Sequence, residues 1–159
     1  RSQESLRMKY SKLMKERVRR VSVLLRELGF EMLDGEFLEE TYSAAFESSD
    51  GFQGAVYIDR DSKFLELAYT FSFSSNLADF VQAKLEDIMQ ISYEYGCYTT
   101  LMTTQREITL TVFSKIYYAG LNYYALKETV RDYRDAVESL AELLELKSEL
   151  GKGATGGNA

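Results

Sequence analysis

The sequence predicts a single α+β domain in the order helix, three strands, helix, two strands, helix, with an antiparallel sheet packed against the helices. Apolar residues recur at three- and four-residue steps in three stretches, period-two alternation takes over between them, and turn or capping residues sit at the changeovers. A chain of 159 residues is the size of one domain and buries enough surface to fold without staples. The domain is expected over residues 1–150, with a flexible Gly-rich tail over 151–159.

The first helix is set by Leu6, Tyr10, Leu13, Met14, Val18, Val21, Leu24, Leu25 and Leu28, and Gly29 is its natural stop. After Phe30 the period becomes two. A weak stretch runs from Phe37 to Phe46, a second from Gly54 to Ile58 and a third from Lys63 to Phe73. Asp59-Arg60-Asp61-Ser62 reads as the hairpin turn between the last two. In the third, Leu65, Leu67, Tyr69, Phe71 and Phe73 share one face.

A second helix follows, with Asn76 and Asp79 spaced as a capping box and Leu77, Phe80, Val81, Leu85, Ile88, Ile91 and Tyr95 along one side up to Gly96. Cys97–Thr103 and Glu107–Tyr118 are strands joined by the Thr104-Gln105-Arg106 link. Gly120 and Asn122 open the last helix, where Leu126, Val130, Tyr133, Val137, Leu140 and Leu144 form a heptad seam, a possible helical interface. Leu143, Leu146 and Leu150 widen that surface, so one broad face packed on the sheet is the competing reading.

Charge narrows the function classes. The net charge is −6, which disfavours nucleic acid as a partner because phosphate neutralisation needs a basic face. The mean conceals an asymmetry: Arg7, Lys9, Lys12, Lys15, Arg17, Arg19, Arg20 and Arg26 crowd the first helix, whereas residues 31–50 hold seven acids and no base. The two segments are candidates to meet. No run has the length of a membrane span, and a single Cys makes no internal disulfide, which fits a reducing cytoplasm. The chain opens on Arg1 rather than Met, so an upstream signal or anchor is left open.

The absence of His and the single Cys97 argue for a binding module over an enzyme, because most hydrolytic, redox and zinc chemistry rests on imidazole or thiolate. No catalytic, cofactor-binding or metal-ligating residues are assigned. Glu39-Glu40, Glu47 with Asp50, and Asp59 with Asp61 are better explained by turns than by acid–base or calcium chemistry. Cys97 is expected to be a small buried hydrophobe. Tyrosines 93, 95, 98, 117, 118, 123, 124 and 133 suit either a contact surface or packing between sheet and helix.

This order of elements resembles the type III secretion chaperone-like fold, which includes class I secretion chaperones and the YbjN-like domains, over Leu6 to Leu150. Locally, Gly54-Ala55-Val56-Tyr57-Ile58-Asp59 and Phe64-Leu65-Glu66-Leu67, leading to the helix at Asn76, are similar to a YbjN-type strand pair followed by a helix. The resemblance implies a homodimer built around the second helix and neighbouring strands, with apolar patches that accept an extended client segment. On that implication Leu77, Phe80, Val81, Ile88 and Ile91 serve core or dimer contact, and Leu65, Leu67, Tyr69 and Phe71 meet the client. The alternatives are a scaffold subunit docking through its terminal helices and a small-molecule sensor using Tyr and carboxylates.

Overall fold

A computed structural model of the chain describes residues 2–145, with side chains from residue 12 onward. The expected tail and the apolar residues Leu146 and Leu150 lie outside the described residues. Helix α1 (Ser2–Glu27) ends as expected: Gly29 has φ +91° and its N–H bonds to the Arg26 carbonyl at 3.0 Å. That left-handed backbone suits a residue without a β-carbon. Strands β1 (Phe30–Met32), β2 (Glu36–Leu38), β3 (Thr41–Ser48), β4 (Gln53–Asp59) and β5 (Phe64–Ser74) follow. Helices α2 (Ala78–Ala83) and α3 (Leu85–Glu94) separate them from β6 (Tyr98–Thr103) and β7 (Glu107–Tyr117), and α4 (Tyr123–Leu143) comes last.

The strands make one antiparallel sheet in the order β1-β3-β4-β5-β7-β6, with β2 also paired to β3. β1 lies opposite Phe46–Ser48 and β2 opposite Thr41–Ser43, so together they form one interrupted edge strand. Neither is legible in the sequence, because three residues are too few to establish alternation.

Two details of the second helix depart from expectation. The segment breaks at Lys84, where φ is −99° and ψ is 0°, and the Lys84 N–H turns back to the Val81 carbonyl. The capping box at Asn76 and Asp79 does not form. Ser75–Leu77 is a single 3₁₀ turn without a side-chain cap, and the Ser75 N–H is held instead by the Arg106 carbonyl across the sheet at 3.1 Å. The cap of α4 does form, with Asn122 Oδ1 accepting from the Ala125 N–H at 2.9 Å.

All the helices cover one face of the sheet. Leu65, Leu67, Tyr69, Phe71 and Phe73 of β5 lie on that face, beside Val56 and Ile58 of β4 and Ile108, Leu110 and Val112 of β7. Val21 and Leu25 of α1, Val81, Ile88 and the inner side of α4 close over them as one core. The heptad seam is therefore spent internally: Leu126, Val130, Tyr133, Val137, Leu140 and Leu144 are all buried in the chain's own core. The broad-face reading of α4 holds, because a sheet floor is wider than the two positions per heptad of a coiled coil.

One polar contact joins α4 to the middle of the sheet. β4 and β5 register over only Ala55↔Ala68, Val56↔Leu67 and Tyr57↔Glu66. Where that short ladder stops, the buried Tyr133 hydroxyl donates to the Ala68 carbonyl at 2.7 Å. Gly54 makes room for it, since a β-carbon there would lie 2.6 Å from the Tyr133 oxygen and 2.8 Å from Phe46 Cζ. Phe52 packs edge-on to the Tyr133 ring and stacks on Tyr69 at 6.0 Å.

Among the described residues, no ion pair joins the basic face of α1 to the acids of residues 31–50. Arg17 Nη1 instead donates to the carbonyls of Asp59 and Arg60, both at 3.1 Å, while its guanidinium lies 4.2 Å from the Tyr118 ring centroid. Arg20 donates to the Leu121 carbonyl. Two acids of the acidic segment find other cations: Asp50 pairs with Arg134 of α4 at 2.5 Å and Glu40 with Arg60 at 2.6 Å. Backbone carbonyls at a tight turn point outward together, and a planar guanidinium can take several at once.

Tyr133→Phe is expected to lower stability by about 1–2 kcal/mol, because it leaves a buried carbonyl without its donor. Gly54→Ala should cost roughly 1–3 kcal/mol by forcing the same hydroxyl away. Urea denaturation of both variants and of the double variant measures this, with the two losses less than additive.

Candidate protein-binding face

Among the described residues no helix lies over the opposite face of the sheet. Its side chains are the alternate set of each strand, and the registers align them in rows. Phe64 stands opposite Tyr117, with ring centroids 5.8 Å apart at 90°. The next row is Tyr57, Glu66 and Lys115, and the one after it Ala55, Ala68, Phe113 and Tyr98. Beyond these the face turns to hydroxyls: Thr70 and Thr111 are 3.2 Å apart, followed by Ser72, Thr109 and Met102. One end is aromatic and the other is Ser/Thr.

Several of these side chains are open to solvent: Tyr57 is 37%, Tyr98 54%, Tyr117 58% and Met102 67% exposed. Lys115 Nζ lies 4.5 Å from the centroids of both Phe64 and Tyr98, a cation held between two rings. Partial burial among these rings pushes the Glu66 carboxyl up from its ordinary range, and the Lys115 charge opposes that.

The two edges of the sheet differ. The β1/β2 edge is interrupted and carries Glu31, Asp34 and Glu36, features that discourage pairing with another strand. The β6 edge is Tyr98-Thr99-Thr100-Leu101-Met102-Thr103, with no charge, Pro or Gly, and among the described strands only β7 pairs with it. Nothing in its chemistry blunts it. On the neighbouring helix α3, Met89 and Tyr93 stand four residues apart and are 67% and 81% exposed.

The residues expected to meet a client are on the wrong side of the sheet for it. Leu65, Leu67, Tyr69 and Phe71 are at most 1% exposed, beneath the helices. The more apolar set of an alternating strand goes under the covering layer, and the surface is left to its neighbours Phe64, Glu66 and Thr70. Of the residues read as core or dimer contacts, Val81 and Ile88 are buried and Leu77, Phe80 and Ile91 pack against the core. The clue to the exposed set was present in β7, where Phe113 and Tyr117 fall out of phase with Ile108, Leu110 and Val112.

Groups with reactive potential sit elsewhere. Cys97 is buried at 3.2 Å from Ser114 Oγ, and burial pushes its thiol up, so it stays protonated at neutral pH. Asp59 and Asp61 belong to the β4–β5 turn, where the Asp61 N–H donates to Asp59 Oδ1 at 2.9 Å. Among the described residues no group of three or more His, Cys, Asp or Glu is placed to hold a metal ion, and no described helix is long and apolar enough to cross a membrane.

No protein-family model matches the chain, and no curated protein matches it. Two solved structures do. An uncharacterized protein from Methanothermobacter thermautotrophicus aligns over 80% of this chain and 95% of its own, with a TM-score of 0.59 and 13% identity. YbjN from E. coli, described as a candidate transcription regulator, aligns over 82% of this chain and 91% of its own, with a TM-score of 0.58 and 14% identity. The chain has a YbjN-like fold. At such identity the likeness is one of fold, and the YbjN-like frame here is the one-sided sheet with its free face and free edge.

On the covered side of the sheet, Tyr118 provides a solution check of the packing beneath α1. Among the described residues its buried hydroxyl has no hydrogen-bond partner, and burial pushes it up to about 12. A phenol raised from its ordinary value near 10 stabilises the fold below pH 10, and that contribution is lost as pH rises from 10 through 12. Denaturation followed from neutral to alkaline pH should show this loss, and Tyr118→Phe should reduce it, leaving the part contributed by the buried Tyr69 and Tyr133, which burial also pushes up.

Proposed function

We propose that the protein is a non-enzymatic protein-binding module that acts as a homodimer and receives a segment of a client on the uncovered sheet face, in the manner of a secretion chaperone. The observation that carries this reading is the one-sided sheet, whose free face is aromatic at one end. Contiguous exposed apolar surface of this kind is where soluble proteins meet partners. Tyrosine serves such contacts well, since it offers large area at small entropic cost.

The dimer reading rests on β6. An unblunted edge strand gains main-chain hydrogen bonds by pairing, and an uncharged one meets its own copy without repulsion. A twofold axis normal to the sheet would continue the sheet through two β6 strands, with Met89 and Tyr93 of α3 close to the same seam.

The test is solution mass by light scattering at micromolar concentration. The expected species has twice the 18.2 kDa chain mass, and Met102→Lys, at an exposed position, should yield a monomer with an unchanged circular-dichroism spectrum. A wild-type monomer, or a dimer indifferent to Met102→Lys, refutes assembly through β6.

A further inference from the structure

We infer that the segment received on the open sheet face is a basic, apolar one, carrying Arg or Lys between hydrophobic side chains, and that it belongs to another protein. The inference rests on the reading of this face as the docking surface and adds the chemistry of the occupant.

The first observation is charge. The registers place Glu31, Glu36, Glu47, Asp59, Glu66 and Glu107 on the open face, and among the described residues its only cation is Lys115. These acids come from β1, β2, β3, β4, β5 and β7, so they spread across the sheet around its aromatic rows. A surface of that sign attracts cations and repels phosphate, which separates a basic protein segment from a nucleic acid.

The second is that the face already holds a cation of its own. Lys115 rests 4.5 Å from two ring centroids and directly opposite Glu66 in the β5–β7 register. Tyr57 and Tyr117 offer further rings at the margins of the same rows, both exposed. An incoming Arg or Lys finds there the two partners Lys115 uses, an aromatic face and a carboxylate, while its apolar neighbours cover Ala55 and Phe113. Partial burial of Glu66 makes a nearby positive charge more favourable still.

The probe is a fluorescein-labelled peptide alternating Arg and Leu, read by anisotropy against the full chain, with a Glu/Leu peptide and single-stranded oligothymidine as competitors in chemistry. The Arg/Leu peptide should bind, more weakly as salt rises, and bind about tenfold more weakly to Glu47→Lys/Glu66→Lys and to Tyr57→Ala/Tyr117→Ala. Glu47→Gln/Glu66→Gln, which keeps the shapes, should show a smaller loss and guards against a charge-reversed variant that fails to fold. Equal or tighter binding of the Glu/Leu peptide overturns the charge preference while leaving docking at this face intact. Binding of oligothymidine as tight as that of the Arg/Leu peptide overturns the assignment to a protein segment. If the wild-type dimer dissociates in Glu47→Lys/Glu66→Lys and survives Met102→Lys, the occupant is a second copy and the inference falls. If no probe binds while the dimer forms through β6, the inference falls and the dimer stands.

Discussion

The hydrogen bond from the Tyr133 hydroxyl to the Ala68 carbonyl is the joint on which the two halves of the molecule meet. It ties the inner side of α4 to the sheet at the place where β4 and β5 cease to register, and the glycine at position 54 exists in a space that only a hydrogen can fill. On one side of that joint lie β1 to β4 and their aromatic wedge of Phe46 and Phe52; on the other lie β5, β7 and β6. The Tyr133 hydroxyl thus finds a buried acceptor where the β4–β5 register ends, so that neither group is left unpaired there.

Around this joint, three arginines fasten turns to helices. Arg17 gathers the carbonyls of the β4–β5 turn, Arg20 holds Leu121 ahead of α4, and Arg134 binds Asp50 in the β3–β4 turn while lying 4.8 Å from the Phe52 ring centroid. The Arg134 guanidinium draws the Asp50 carboxyl far below its usual range. Arg17 and Arg20 of α1 are thus committed to backbone carbonyls within the fold, and among the described residues the open face of the sheet sets six carboxylates against the single cation Lys115. Structure and surface chemistry divide the charges between them.

The long periodic elements were legible in the sequence because their signals repeat: α1 stops at Gly29, β5 alternates over 11 residues, and α4 starts at the Asn122 cap. What escaped has physical causes. β1 and β2 exist only because β3 offers them an edge, so their three residues carry no pattern of their own. Lys84 breaks the second helix through local backbone geometry that a spacing pattern passes over. The open face was hidden by a choice of side: alternation identifies two faces of a strand, but which one the helices cover is decided by total apolar area over the whole sheet. Leu65 and Phe71 belong to that richer side, and Phe64 and Glu66, on the poorer one, are what a partner meets.

The strand order also governs the sequence of events as the chain is made. β7 lies between β5 and β6, so the longest ladder of the sheet, Phe64–Ser74 against Glu107–Tyr117, joins residues separated by two helices and a strand. The β6–β7 hairpin closes locally and fast, whereas the docking of β7 on β5 waits for loop closure across that span. Until residue 117 has left the ribosome, β5 presents its own bare edge, and its Leu65, Leu67, Tyr69 and Phe71 side chains wait longer still, for α4 to close over them. The nascent protein is therefore most exposed to misassociation in the interval between the end of β5 and the end of β7.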